Sequence, residues 1–207
     1  MSCGDTYYSL VVISLVGLPG SGKSTVGRQL ARRLELPFID SDYEIERRLG
    51  CSIREYFERE GEASFREVEA QVIADLCKNH AGVLSTGGGS ALRADNRAAL
   101  RAHGHVVYLR SHPEEVFRRL RHDRNRPLLQ VGDPLQRLKD LFAVRDPLYR
   151  EAAHFVIETG RPSVATLVNM ISMQLELAGV VKLRDASHSN PTPFHPSAHA
   201  NSHDFTG

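Results

Sequence analysis

Nine consecutive residues constrain this chain more than any other stretch: Gly17-Leu18-Pro19-Gly20-Ser21-Gly22-Lys23-Ser24-Thr25. They satisfy G-x-x-x-x-G-K-[ST], and they sit between an apolar run, Leu10 to Val16, and a helical pattern, Ser24 to Leu34. The preceding run is β-rich and apolar on both faces, as a strand central to a parallel sheet must be. The following one carries Val26, Leu30 and Leu34 on a single stripe. Glycines let the backbone curl so that successive N–H groups face an anion, and the helix N-terminus adds partial positive charge. In such a loop Lys23 reaches the β and γ phosphates of a nucleotide, and Ser24 offers its hydroxyl to Mg²⁺. A ligand-free glycine turn would not require the lysine, the serine and both flanking elements together.

The rest of the chain alternates in the same way. Pro37 to Ile39, Val83-Leu84, Val106 to Leu109 and Phe155 to Ile157 read as strands. Residues 45–49, 53–76, 96–102, the stretch from Pro113, 135–149 and 163–177 read as helices. Strands separated by helices imply an α/β fold, a parallel sheet covered on both faces, with ligands beyond the carboxyl ends of the strands. At 207 residues the chain has room for one such domain, over residues 10–181. Residues 1–9 read as a frayed start. Residues 182–207 hold four of the ten histidines and almost no aliphatic side chain, so they read as a disordered tail. A histidine metal tract there is the alternative, against which the irregular spacing argues.

Charge and composition exclude several classes. Lys+Arg 26 against Asp+Glu 25 leaves a net charge of +1, so no chain-wide basic surface exists for nucleic acid. No apolar run approaches the roughly 20 residues of a membrane helix, and no basic leader precedes a long apolar stretch. Cys3, Cys51 and Cys77 form no metal or disulfide spacing, which suits a reducing, cytoplasmic setting. A monomer is expected, because no extra apolar face is evident.

The loop alone leaves the phosphate acceptor open. No Asn-Lys-x-Asp guanine reader is present, and no predicted strand ends in Asp-Glu, which leaves small kinases whose acceptor is a second bound molecule. Asp40-Ser41-Asp42 closes the second strand at the ligand edge. One carboxylate there can orient Mg²⁺ through water while the other takes a hydrogen bond from an attacking hydroxyl, a reading that outweighs the alternative in which Asp42 caps the next helix. Arg66 on the long helix reads as a solvated side chain or a partner of Glu69, which spacing favours, or as a fork for a substrate carboxylate. Gly87-Gly88-Gly89 ends a buried strand, bare backbone against which a ligand can lie, or a tight turn. Arg118, Arg119, Arg121, Arg124 and Arg126 crowd one polar stretch. A mobile lid over residues 121–134 fits them better than nucleic acid, since no aromatic stacking residues are interleaved. Arg145 stands just before Pro147, which reads as a helix end.

Taken together, these residues resemble the shikimate kinase family: Gly17 to Thr25, Asp40-Ser41-Asp42, Phe65-Arg66, Gly87 to Gly89, Arg126-Pro127-Leu128-Leu129 and Arg145-x-Pro147-Leu148-Tyr149, in the family's order, over about residues 10–178. The resemblance implies a nucleoside-monophosphate-kinase type fold, a five-stranded parallel sheet ordered 2-3-1-4-5 with an arginine-rich lid. It implies transfer of the ATP γ-phosphoryl group to the 3-hydroxyl of shikimate in aromatic amino-acid biosynthesis. Lys23, Asp42 and Arg126 would be catalytic. Gly20, Ser21, Gly22, Lys23, Ser24, Thr25, Arg119 and Arg126 would bind ATP, with Arg119 stacked near adenine opposite the Arg161-Pro162 turn. Asp42, Arg66, Gly88 and Arg145 would bind shikimate, and Mg²⁺ would be held by Ser24 directly and by Asp40, and Ser85, through water. Other small P-loop kinases, acting on gluconate or nucleotides, would not be expected to carry this set together. A non-catalytic nucleotide-binding protein would have lost one of these residues.

Overall fold

The computed structural model describes residues 11–121, 133–160 and 162–182. Five strands are present: β1 (Val12–Val16), β2 (Phe38–Asp40), β3 (Gly82–Ser85), β4 (His105–Arg110) and β5 (Phe155–Glu158). They alternate with helices α1 (Lys23–Leu34), α2 (Ser41–Leu49), α3 (Ile53–Asn79), α4 (Ala94–His103), α5 (Pro113–Leu120), α6 (Pro134–Ala152) and α7 (Val164–Leu177). All pairings are parallel, and the order is β2-β3-β1-β4-β5. The parallel sheet is the one expected from the alternating pattern, and its strand order is the one that the family resemblance implied. Most of the expected lid, residues 122–132, lies outside the described residues, as do the expected frayed start and nearly all of the expected tail.

Strand alternation divides the core into two layers. Val12 and Val16 of β1 join Ile73, Leu100, Tyr108 and Leu138 on the face covered by α3, α4 and α6. Ile13 and Leu15 join Leu30, Leu109, Ile171 and Leu175 on the face covered by α1 and α7. Every residue of β1 is buried, which explains its apolar run. Because all five strands run the same way, their carboxyl ends share one edge. Register then decides what meets there: Asp40 is paired with Ser85, Ser85 with Leu15, and Val16 with Tyr108.

Three local readings change. The helix after β2 begins at Ser41, four residues ahead of the expected 45, because Asp40 and not Asp42 is its N-cap, accepting from the Asp42 amide at 3.1 Å. Pro147 does not end its helix: α6 runs through it to Ala152, held by packing on β4, α4 and α5. In α3, Gly61 adopts φ 81°, so one continuous apolar pattern is two helical segments meeting at a bend. On α7, Met173 and Leu177 are exposed, an apolar face that composition did not signal, although single exposed side chains of this kind are ordinary.

The edge position of Asp40 depends on a close approach lower in the sheet. The Pro37 carbonyl accepts from the Val83 amide at 2.8 Å, and a methyl on Gly82, where φ is +135°, would collide with that carbonyl oxygen. Gly82→Ala should therefore destabilise the fold by about 2–4 kcal/mol and lower the melting temperature by roughly 5–15 °C, measured by thermal unfolding followed by circular dichroism. An unchanged melting temperature would mean that β2 tolerates displacement.

Candidate active site at the carboxyl edge of the sheet

The nucleotide side of the site is built from the loop between β1 and α1. Gly22 caps α1 in the left-handed region (φ 95°, ψ 13°), which turns the first helical amides toward the open edge. Gly20 lies so close to α5 that a methyl there would stand 2.5 Å from Leu120 Cδ1. Lys23 is buried, and its ammonium donates to the Gly17 and Leu18 carbonyls, both at 2.9 Å, which folds the charge over the loop. Arg119 donates to the Ser21 carbonyl at 3.3 Å and to the Thr159 carbonyl at 3.2 Å, so its guanidinium bridges the loop to the end of β5. Gly160 and Pro162 lie alongside; Arg161, like Arg126, is outside the described residues.

Three oxygens gather where β1, β2 and β3 end. Ser24 Oγ donates to Asp40 Oδ2 at 2.9 Å and lies 3.2 Å from Ser85 Oγ. Among the described residues no group of three or more His, Cys, Asp or Glu side chains could hold a metal by itself. A hydroxyl, a carboxylate and a second hydroxyl are the hard donors that suit a divalent cation whose remaining ligands are phosphate and water.

Asp42 begins the acceptor side. It is open to solvent as a residue, yet its carboxyl faces a walled cleft, and a methyl on Gly87 would stand 2.7 Å from its Oδ1. Loss of solvation raises its pKa from 3.8 to about 6; Asp40, Glu69 and Glu46 push the same way, and Lys23 opposes them. Arg66 makes the ion pair with Glu69 that its spacing offered, and it also abuts the triple glycine. Its Nη1 donates to Glu69 Oε2 at 2.7 Å and its Nη2 to Glu62 at 3.0 Å, while a methyl on Gly89 would lie 2.5 Å from that same Nη1. Arg145 Nη1 donates to the Gly88 carbonyl at 3.0 Å, and the Tyr149 hydroxyl donates to the same oxygen. The three glycines are therefore the common floor of Asp42, Arg66 and Arg145, and no side chain fits on them.

Two members of this cluster escaped sequence reasoning. Glu69 is almost fully buried; burial raises its pKa, and the cations of Arg66 and Arg145 counter this. Its position three residues after Arg66 announced an ion pair but not a place in the site. Tyr149, four residues after Arg145, shares its helix face, and the i,i+4 spacing is the signal that could have found it. A cavity of about 660 Å³, large enough for a nucleotide, runs from Arg119 and Thr159 past the loop to Asp40, Asp42 and Gly88.

Comparison with known proteins agrees with this geometry. A family model described as shikimate kinase matches residues 19–176. The chain is 59% identical over 169 residues to the shikimate kinase of Ralstonia nicotianae, covering 82% of this chain and 89% of that protein. It is 63% identical over 171 residues to that of Paracidovorax citrulli, covering 81% and 93%. Among solved structures, the shikimate kinase of Acinetobacter baumannii in complex with shikimate superposes with a TM-score of 0.77 at 48% identity, over 84% of this chain and 97% of that one. That from Aquifex aeolicus gives 0.71 at 36% identity, over 82% and 99%.

The raised Asp42 pKa has a consequence for stability. Between about 3.8 and about 6 the folded state holds a proton that the unfolded chain has released, so folding loses stability as pH rises through this window. The stability of Asp42→Asn relative to the unsubstituted chain should then grow from about pH 4 to pH 7, measured by urea unfolding. A difference that shrinks with pH would place the Asp42 pKa below its ordinary value.

Proposed function

The chain belongs to the shikimate kinase family, and from that membership and the site geometry we infer how its residues divide the reaction. It phosphorylates shikimate with ATP, a step of aromatic amino-acid biosynthesis. In this reading the γ-phosphoryl group goes to the 3-hydroxyl, giving shikimate 3-phosphate and ADP. A bond forms between the 3-oxygen and the γ-phosphorus, and the bond from that phosphorus to the β–γ bridging oxygen breaks.

The loop amides of Gly20 to Thr25 and the Lys23 ammonium hold the β and γ phosphates. Arg119 lies beside adenine, near Gly160 and Pro162, and Arg126 of the lid adds positive charge at the transferring group. Mg²⁺ would be held by the Ser24, Asp40 and Ser85 oxygens described above, Ser24 directly and Asp40 through water, and when bound it would neutralise phosphate charge. Asp42 accepts the hydrogen bond of the 3-hydroxyl and takes its proton as the new bond forms. A carboxyl with a pKa of about 6 is largely ionised at neutral pH and is still a competent base. Arg66 and Arg145 grip the shikimate carboxylate as charge-assisted donors, and the Gly88 backbone meets the ring hydroxyls.

One observation carries this reading: Asp42, Arg66 and Arg145 all abut Gly87 to Gly89, next to the cavity that reaches Lys23. An acid, two cations and bare backbone suit a small anion with several hydroxyls. Among the described residues no helix is long and apolar enough to cross a membrane, which suits a cytoplasmic enzyme. A single chain supplies the whole site in this reading, without nucleic acid or a membrane surface.

Asp42→Asn should lower kcat by about 10²–10⁴ and leave the KM for ATP nearly unchanged. The unsubstituted enzyme should show an acid limb in kcat/KM for shikimate near pH 6, and the variant should lack it. Coupled ADP-release kinetics over a pH series measures both. A variant retaining the limb and most of its turnover would remove Asp42 from the chemistry. Separately, Lys23→Ala should lower kcat by about 10²–10³ in the same assay, and near-normal turnover would contradict its role.

A further inference from the structure

Arg145 and Tyr149 occupy one face of α6, but what aims that face lies on the neighbouring one. At 3.6 residues per turn, Asp146 and Arg150 form a second stripe about 100° away. Asp146 is largely shielded, and its carboxylate collects three donors. Oδ1 accepts from the Tyr108 hydroxyl at 2.8 Å and from Arg110 Nε at 2.9 Å, and Oδ2 accepts from Arg150 Nε at 2.8 Å. Tyr108 and Arg110 belong to β4, so this carboxylate fastens α6 to the sheet.

The anchor itself is rigid. Tyr108 is fully buried, with its ring centroid 5.0 Å from that of Tyr149. Arg110 is held on its other side by Glu158 of β5 at 2.8 Å and lies over the Phe142 ring at 5.2 Å. The helix needs such a fastening here. Pro147 has no N–H, so the Ala143 carbonyl goes without its ladder bond in the same turn that carries Arg145. The backbone ladder is therefore one bond short in the turn that carries Arg145.

We propose that Asp146 is a positioning residue for shikimate: by locking the rotation of α6 against Tyr108 and Arg110 of β4, it aims Arg145 at the substrate carboxylate. The inference rests on the assignment of Arg145 to that carboxylate. It separates the two ends of one short motif, Arg145 touching substrate and Asp146 touching only the scaffold. Its effect falls on shikimate and not on ATP, because the hydrogen bonds of Asp146 run to Tyr108 and Arg110 of β4 and to Arg150 of its own helix, and none runs to the nucleotide loop.

The test is a double-mutant cycle read as shikimate affinity. Asp146→Asn keeps the size of the side chain and removes its charge. Tyr108→Phe keeps the core ring and removes one donor, and serves if Asp146→Asn folds poorly. Each should raise the KM for shikimate, about tenfold for Asp146→Asn and a few-fold for Tyr108→Phe, and leave the KM for ATP within about twofold. In the Arg145→Ala background, Asp146→Asn should add less than about twofold, since the group it aims is gone. Isothermal titration with shikimate in the absence of ATP should reproduce the pattern. If Arg145→Ala raises the KM for shikimate but Asp146→Asn multiplies independently with it, or moves both substrates equally, Asp146 is only structural and the proposal is overturned. If Arg145→Ala itself leaves the KM for shikimate unchanged, the carboxylate assignment is wrong and the proposal falls with it.

Discussion

The Asp40 carboxylate joins the two halves of the site. One oxygen holds the Ser24 hydroxyl at the start of the phosphate-binding helix, and the other caps the helix that carries Asp42. In the proposed reaction a single acidic side chain thereby sets the distance between the nucleotide's charge and the acceptor's base. It can do so only because β2 pairs with β3 in a register that puts Asp40 beside Ser85. The parallel sheet supplies direction, sending every strand end to one edge; this carboxylate converts a shared edge into a shared geometry. Positioning of this kind, with little covalent chemistry asked of the protein, is what phosphoryl transfer demands.

The acceptor side is crowded with groups that folding alone would not favour. Asp42 and Glu69 both carry carboxyls pushed toward protonation by burial. Gly87, Gly88 and Gly89 leave no side chain to pack, and each stands where a methyl would strike Asp42, Pro19 or Arg66. Arg66 and Arg145 offset the acidic charge, so the cluster is an interleaved set of acids and cations around bare backbone. Such arrangements trade stability for a carboxyl poised near neutral pH. The cost is borne by two well-filled apolar layers, with β1 buried between them.

Much of this was legible in the residues. The phosphate loop declares itself, because its chemistry needs glycines, a lysine and a hydroxyl at fixed spacing between a strand and a helix. The sheet follows from the alternation of apolar strands with periodic helices. What sequence left open were questions of tertiary contact. Spacing could not say whether Asp42 caps α2 or serves the site, and the fold gives the cap to Asp40, which sequence had not offered for it, and leaves Asp42 to the cleft. It offered Arg66 an ion pair or a ligand, and the folded chain uses one guanidinium to pair with Glu69 and to face Gly89. It read Pro147 as a helix end, whereas packing against β4 carries the helix through. Glu69 and Tyr149 gained their place only once α3 and α6 were seen to meet the same glycines. Arg126 and Arg161, assigned from the resemblance, stand outside the described residues.

The most direct trial of the central claim is a crystal structure of the enzyme with Mg²⁺, a non-hydrolysable ATP analogue and shikimate. The account predicts the 3-oxygen hydrogen-bonded to Asp42 and about 3–3.5 Å from the γ-phosphorus, with the carboxylate between Arg66 and Arg145. Shikimate bound elsewhere, or turned so that its carboxylate meets neither arginine, would contradict it.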